Sequence, residues 1–288
     1  MARWTDRRQR FRSVLTGEIC VSPASVYDPM TARLARDIGY EIGILAGSTA
    51  SMTVLGAPDH IVLTLTEFAD QAGRIGRASD LPILVDADHG YGNALNVMRT
   101  VEELEAAGVS ALSIEDTDLP APFGSEGKAR LIPLEEGVGK MRAAMAAKPD
   151  PDLVVCGRTS AAQIAGAEEC RRRVAAYTEA GVDAIFLVGV PDKDCLDIVS
   201  GATDLPIVLG GAGPELKNPE YLASRNVRVL LTGHQPIAAA INAAYETLLA
   251  LRNGVKASDL PGLPSKDRIA VALDEDRYAD HIRDFLNG

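Results

Sequence analysis

The stretch LPILVDADHGYGN, residues 81–93, is apolar until it ends in Asp86, Asp88 and His89 and then turns through two glycines. Side chains alternate along a strand, so Asp86 and Asp88 face the same way if the strand stays extended to its end. Neighbouring carboxylates raise each other's pKa unless a cation lies between them, and oxygen donors with water are what Mg2+ or Mn2+ prefers. Other apolar runs also finish in reactive groups: Ser48 in LAGSTAS, Glu115 and Asp116 in IEDT, Arg158 in CGRTS and His234 in LTGHQ. A lone DxD serves equally well as a helix cap or a solvated turn. A third acid closing the next run and a guanidinium closing another favour a divalent-cation site. Arg158 reads either as a bidentate clamp for a substrate carboxylate or as half of a structural salt bridge. His234 reads either as a satisfied structural histidine or as a hydrogen-bond donor to substrate or proton donor to an enolate.

Several other chemistries find little support. There are four histidines and no HxH or HExxH spacing, so a zinc hydrolase is disfavoured. Gly90 and Gly92 suit a tight turn but lack the GxGxxG spacing of a dinucleotide site. LGGAGPE reads as a rim turn more readily than as a phosphate cradle.

The elements that must hold these groups follow from the hydrophobic pattern. Short apolar runs alternate with helix-period segments throughout: EICVSP, EIGILAG, LPILVDA, SALSIED, LVVCGR, AIFLVGV, LPIVLGG and VRVLLTG are the candidate strands. The segment NALNVMRTVEELEAAG predicts a helix with Leu95, Met98, Val101 and Leu104 inward, and PLEEGVGKMRAAMAA one with Leu134, Val138, Met141 and Met145 inward. SDLPILVDADHG and TDLPIVLGGAGP echo each other, as a repeated βα unit would. The expected fold is a (βα)8 TIM-type barrel over residues 1–253, with a doubly wound open sheet as the alternative. In a barrel the reactive groups stand together at the carboxyl ends of the strands. Residues 254–288 exceed what a barrel needs and predict a helical tail packing on the barrel or on a neighbouring subunit.

Composition bounds the partners. Across 288 residues, 47% hydrophobic and 24% charged content suits a globular chain, and no apolar run approaches the roughly 18 residues that span a bilayer. A net charge of −11 disfavours nucleic acid and anionic lipid. The start, MARWTDRRQRFRSVL, predicts a solvated first helix, with an organelle transit peptide as the minor reading. Cys20, Cys156, Cys170 and Cys195 are widely spaced and predict buried, reduced thiols in a cytoplasm.

GILAGSTAS, GAPD, LPILVDADHGYGN, SIEDT, GRT and LTGH, in that order, resemble the phosphoenolpyruvate mutase/isocitrate lyase superfamily over nearly the whole chain, and within it the branch that decarboxylates oxaloacetate. The resemblance implies a barrel that exchanges its C-terminal helix with a neighbour, usually in a homotetramer. It implies Mg2+, or Mn2+, held directly by Asp86 and through water by Asp88, Glu115 and Asp59 of GAPD. Ser48, Arg158 and His234 are implied at an α-keto dicarboxylate substrate. The lyases of the superfamily carry a KRCGH or KKCGH loop whose cysteine delivers a proton. Here DLPAPFGSEGKARLIPLEE has no cysteine, which argues against isocitrate or 2-methylisocitrate cleavage. The same loop lacks the asparagine pattern of phosphonopyruvate mutases. Other α-keto acid chemistry, and a non-catalytic binder of metal-bound dicarboxylates, are the remaining alternatives.

Overall fold

The computed structural model describes residues 4–286; the first three residues of the arginine-rich start and the last two of the tail lie outside it. In chain order the elements are α1 (Thr5–Leu15), β1 (Ala24–Ser25), α2 (Pro29–Ile38), β2 (Gly43–Leu45), α3 (Gly47–Ala50), α4 (Leu65–Ala78), β3 (Ile83–Asp86), α5 (Ala94–Ala107), β4 (Ala111–Glu115), α6 (Leu134–Ala146) and β5 (Val154–Thr159). Then come α7 (Ala161–Ala165), α8 (Ala167–Glu179), β6 (Ala184–Val188), α9 (Lys193–Ser200), β7 (Ile207–Gly210), α10 (Pro219–Ser224), β8 (Val227–Leu230), α11 (Gln235–Arg252), α12 (Lys266–Leu273) and α13 (Glu275–Phe285). The eight strands are parallel and pair in sequence order, the TIM-type arrangement expected.

The seam between first and last strand departs from expectation. EICVSP does not form one continuous strand, because Pro23 has no N–H to give to a ladder. The pairing splits around it. Val21 alone bridges Val229, donating to Arg228 O at 2.9 Å and accepting from Leu230 N at 2.9 Å. Ala24–Ser25 then pairs with β2.

Two apolar layers result from strand alternation. Ile44, Leu84, Ala111, Val154, Cys156, Ala184, Phe186, Val208 and Val229 point inward and fill the barrel. The alternate positions, such as Ile83, Val85, Leu112, Val155 and Leu187, pack against the helices. Helix α6 meets its expectation, with Met141 buried and Leu134, Val138 and Met145 packed on the core. Helix α5 is rotated from the stripe expected. Val97, Val101 and Leu104 are buried, Met98 is only half-buried, and Leu95 is 74% exposed, since Asn93 caps the helix and leaves Leu95 in the first turn at the rim.

The first helix is not solvated. Arg7 donates to Gly76 O (2.9 Å) and Ser79 O (2.8 Å), and Arg8, fully buried, to Glu105 (2.7 Å), Asp150 (2.5 Å) and Val109 O (3.0 Å). Arg12 reaches Asp183 at 2.8 Å. These acceptors all precede strands, so α1 lies across the amino end of the barrel, with Phe11 and Leu15 driven into its interior. Cys156, Cys170 and Cys195 are buried and Cys20 half-buried; burial pushes the Cys20 thiol up to about 11. At the other end of the chain, α11 buries only Ile237, and α12 returns to α2, where Arg33 donates to Ala272 O at 3.0 Å. No helix among the described residues is long and apolar enough to cross a membrane.

Candidate active site

The inward phase of the strands delivers the site. Asp86 follows Leu84 at a spacing of two, Glu115 follows Ala111 and Ser113, and Arg158 follows Val154 and Cys156. In register, Asp86 lies beside Ser113 and Glu115 beside Arg158. Asp86, Asp88, Glu115, Arg158 and Asp59 therefore share the wall of one cavity of about 790 Å3 at the carboxyl end of the barrel.

The interactions within it are tight. Arg158 Nη1 donates to Asp86 Oδ2 and lies 3.6 Å from Glu115 Oε1. Ser113 Oγ donates to Asp86 Oδ1 at 3.1 Å, and Thr117 Oγ1 to Glu115 Oε2 at 2.5 Å. The Arg158 guanidinium also stacks over Phe186, 5.4 Å from the ring centroid, while its buried Nε has no hydrogen-bond partner among the described residues. Two neutral hydroxyls and one guanidinium thus face four carboxylates.

That imbalance sets the protonation. Burial, then the charges of Asp86, Glu115 and Asp59, push the Asp88 carboxyl well above the usual range. Glu115 is raised chiefly by burial, with Arg158 opposing and Asp86 adding. Asp59, on its exposed loop, is raised by partial desolvation and by Asp86. The Arg158 guanidinium is held protonated, because Asp86 and Glu115 outweigh the burial that would lower it. Among the described residues no three His, Cys, Asp or Glu side chains converge closely enough to grip one ion directly.

Asp88 arrives by a route the alternation did not foresee. The strand ends at Asp86, and Asp88 sits in a left-handed turn at φ 48°. Its carboxylate presses against backbone at Gly47, where an added Cβ would lie 2.8 Å from Oδ1. A side chain at position 47 would push that carboxylate aside. Gly90, at φ 77°, closes the turn as expected, and a Cβ there would strike Val97.

Three expected residues stand apart from that wall. Ser48 is half-buried in α3, next to Gly47, and does not line the cavity. His234 lies outside the lining too, its Nδ1 2.8 Å from Ser25 Oγ at the end of β1. Burial lowers its pKa while the charge of Asp86 resists. Asp116 faces the helix layer, accepting from Arg173 Nη1 at 2.9 Å and Tyr177 Oη at 2.6 Å, as a residue one step out of phase with Glu115 must. His89 is buried beyond the turn, its pKa pulled down to about 4 by burial and by Lys140.

Sequence reasoning missed Ser113, Thr117 and Ser25. The first two carried a signal: each lies two residues from Glu115 on the same strand phase. Ser25 carried none, because its partner is 209 residues away. The loop after Glu115 is pinned at its base by the Thr117–Leu131 bridge, and Leu119, Pro120 and Lys128 from it border the cavity.

The chain was compared with known proteins. The family model described as phosphoenolpyruvate phosphomutase matches residues 11–252. An oxaloacetate decarboxylase of Bradyrhizobium diazoefficiens is 55% identical over 270 residues, covering 94% of this chain and 93% of that protein. One from Rhodopseudomonas palustris is 52% identical over 282 residues, covering 97% of each. Among solved structures, a phosphonopyruvate hydrolase complexed with oxalate and Mg++ superposes with a TM-score of 0.84 at 29% identity, covering 98% of this chain and 99% of the other.

Proposed function

The chain belongs to the phosphoenolpyruvate phosphomutase family, and from that premise we propose that it is a carboxy-lyase converting oxaloacetate to pyruvate and carbon dioxide in the acidic cavity. The observation that carries the reading is the unbalanced wall of Asp86, Asp88, Glu115 and Asp59 around one guanidinium, in a chain about half identical to oxaloacetate decarboxylases.

The donor set fits a divalent cation. Four carboxylates with raised or shared charge need positive charge beyond that of Arg158. Their failure to converge directly suits an ion that keeps several waters, as Mg2+ does, better than one demanding a closed protein cage. We assign Asp86 as the direct ligand of Mg2+, or Mn2+, with Asp88, Glu115 and Asp59 holding its waters. Bound there, the cation supplies Lewis-acid stabilisation of the charge that develops on a keto oxygen.

The remaining work falls to side chains. The bond between C3 of oxaloacetate and its distal carboxylate breaks, its electron pair passes toward the keto group, and C3 is then protonated. Arg158 has donors beyond the one given to Asp86, and these orient a substrate carboxylate. Ser48, beside the Gly47 that the Asp88 carboxylate packs on, hydrogen-bonds the end of the substrate that would chelate the cation. With Nδ1 engaged by Ser25, the Nε2 of His234 is the ring atom left to contact the substrate or the nascent enolate. The cysteine-free loop over residues 118–131 agrees with a reaction that needs no thiol acid.

We read residues 1–253 as the catalytic barrel and 254–288 as a tail exchanged between subunits of a homotetramer. The support is the apolar stripe on α11 and α13, where Ile241, Tyr245, Leu248, Tyr278, Ile282 and Phe285 are exposed on the isolated chain. Light scattering tests it. Buried thiols support a reducing, cytoplasmic setting.

The deciding experiment assays oxaloacetate, phosphonopyruvate and 2-methylisocitrate with and without Mg2+, subtracting turnover by the free ion. Oxaloacetate turnover abolished by EDTA and restored by Mg2+ is expected. Turnover of oxaloacetate that survives exhaustive chelation overturns the metal assignment. Phosphate release from phosphonopyruvate at a higher rate overturns the substrate, and tight oxalate binding without turnover of any keto acid overturns the enzyme.

A further inference from the structure

The turn that carries Asp88 is held from three sides. Its backbone leaves β3 and reverses through the left-handed Asp88 and Gly90, a conformation that costs an aspartate some strain, though less than it costs most residues. Asp88 O accepts from Glu115 N at 2.8 Å, and Gly90 O, 3.1 Å from Thr100 Oγ1, shares that hydroxyl with Asn96 O at 2.9 Å. Between them, His89 O accepts from Lys140 Nζ at 3.0 Å. The first donor is backbone and the second a neutral hydroxyl. The third is an ammonium group on α6, 51 residues away, whose side chain is 3% exposed.

Lys140 is an expensive choice for that place. A buried ammonium loses its hydration, and among the described residues this one makes a single hydrogen bond with its three donors. Burial lowers its pKa, and Glu136, Glu115, Asp116 and Asp118 resist that fall. For stability alone a neutral donor would serve better, since desolvating a whole charge is a large cost for one hydrogen bond to a carbonyl. The lysine also lies within electrostatic reach of Glu115 and holds the carbonyl of the residue that follows Asp88.

We propose that Lys140 is a positioning residue for the cation site: by clamping the His89 carbonyl it holds the Asp86–Asp88 turn in the geometry that receives a divalent ion. The inference rests on the metal reading above. It makes a prediction of sign. A lysine acting only through its charge would repel a cation, so removing it would tighten binding. A lysine acting as a clamp gives the reverse.

The test is Mn2+ binding followed by electron paramagnetic resonance on the full chain, with thermal melting alongside. Lys140→Met is expected to weaken Mn2+ binding by about 10- to 100-fold, the range for residues that orient metal ligands, with the chain still folded and its melting temperature lowered only by what one stranded carbonyl costs. Lys140→Arg is expected to recover most of the affinity. If Lys140→Met fails to fold, Thr100→Val removes the neighbouring clamp on Gly90 and is expected to weaken Mn2+ in the same direction. Equal or tighter binding by a folded Lys140→Met overturns the inference, as does unchanged binding by Thr100→Val where Lys140→Met does not fold. Absence of Mn2+ binding by the unmodified chain overturns instead the metal reading beneath it.

Discussion

Both ends of the barrel bury an arginine among carboxylates, and they do opposite things with it. At the amino end, Arg8 meets Glu105, Asp150 and two backbone carbonyls, so its donors are matched and the charge is closed. At the carboxyl end, Arg158 meets Asp86 and Glu115 with Asp88 and Asp59 beyond them, and its own Nε has no hydrogen-bond partner among the described residues. One set of charges is satisfied within the chain; the other is not. The same residue types therefore build a floor at one end and a binding site at the other, and the difference lies in what is left over.

Substitutions should separate the two ends. The largest effect is expected at the open end: Asp86→Ala should cut oxaloacetate turnover more than a thousandfold, at least about 4 kcal/mol of barrier, while melting temperature stays level or rises. A variant with near-normal turnover would break the contrast. Arg8→Met should do the reverse, costing about 3–4 kcal/mol of stability by stranding the buried Asp150, with turnover per folded molecule unchanged. Denaturant unfolding beside active-site titration measures both.

A smaller effect concerns pH. Asp88, Glu115 and Asp59 have carboxyls raised in the folded state. The unfolded chain therefore ionises first, and the metal-free protein should lose stability as pH climbs above the ordinary carboxylate range, near 4. Mg2+ at a hundred times its dissociation constant should return about 2.7 kcal/mol at neutral pH, and less at pH 4.5, where protons compete. Melts across pH with EDTA or Mg2+ check this, and Asp88→Asn should flatten the metal-free slope. A metal-free stability that rises with pH would contradict the surplus of acids. The smallest effect is expected from Ser25→Ala: about 1 kcal/mol, or roughly fivefold in kcat/KM, because only one hydrogen bond on His234 is lost.

How much of this was legible in sequence depended on how local the cause was. Asp86, Glu115 and Arg158 could be read because each continues the two-residue phase of its own apolar strand, and phase is written in a handful of neighbours. The barrel itself was legible for the same reason. Asp88 was found for a reason only half right: the strand stops short of it, and the turn that brings it round depends on Gly47 from another element. The stripe of α5 was misread because Asn93 sets where the helix begins, which shifts Leu95 into the rim. Arg7 and Arg8 looked like a solvated charge run because their acceptors lie about 70 to 140 residues away, where no pattern reaches. Ser48 and His234 were read as strand-end residues, yet Ser48 lies in α3, His234 stands at the N-cap of α11, and neither lines the cavity.

The floor also has a consequence for the order of synthesis. Arg8 waits for Asp150 and Arg12 for Asp183, separations of 142 and 171 residues. At about 5–20 residues per second, translation of the longer interval takes roughly ten to thirty seconds. Throughout it, Phe11 and Leu15 have no barrel interior to enter. The nascent chain must therefore carry an unplaced amphipathic helix until at least five of its eight strands exist, so α1, made before them, is seated after them.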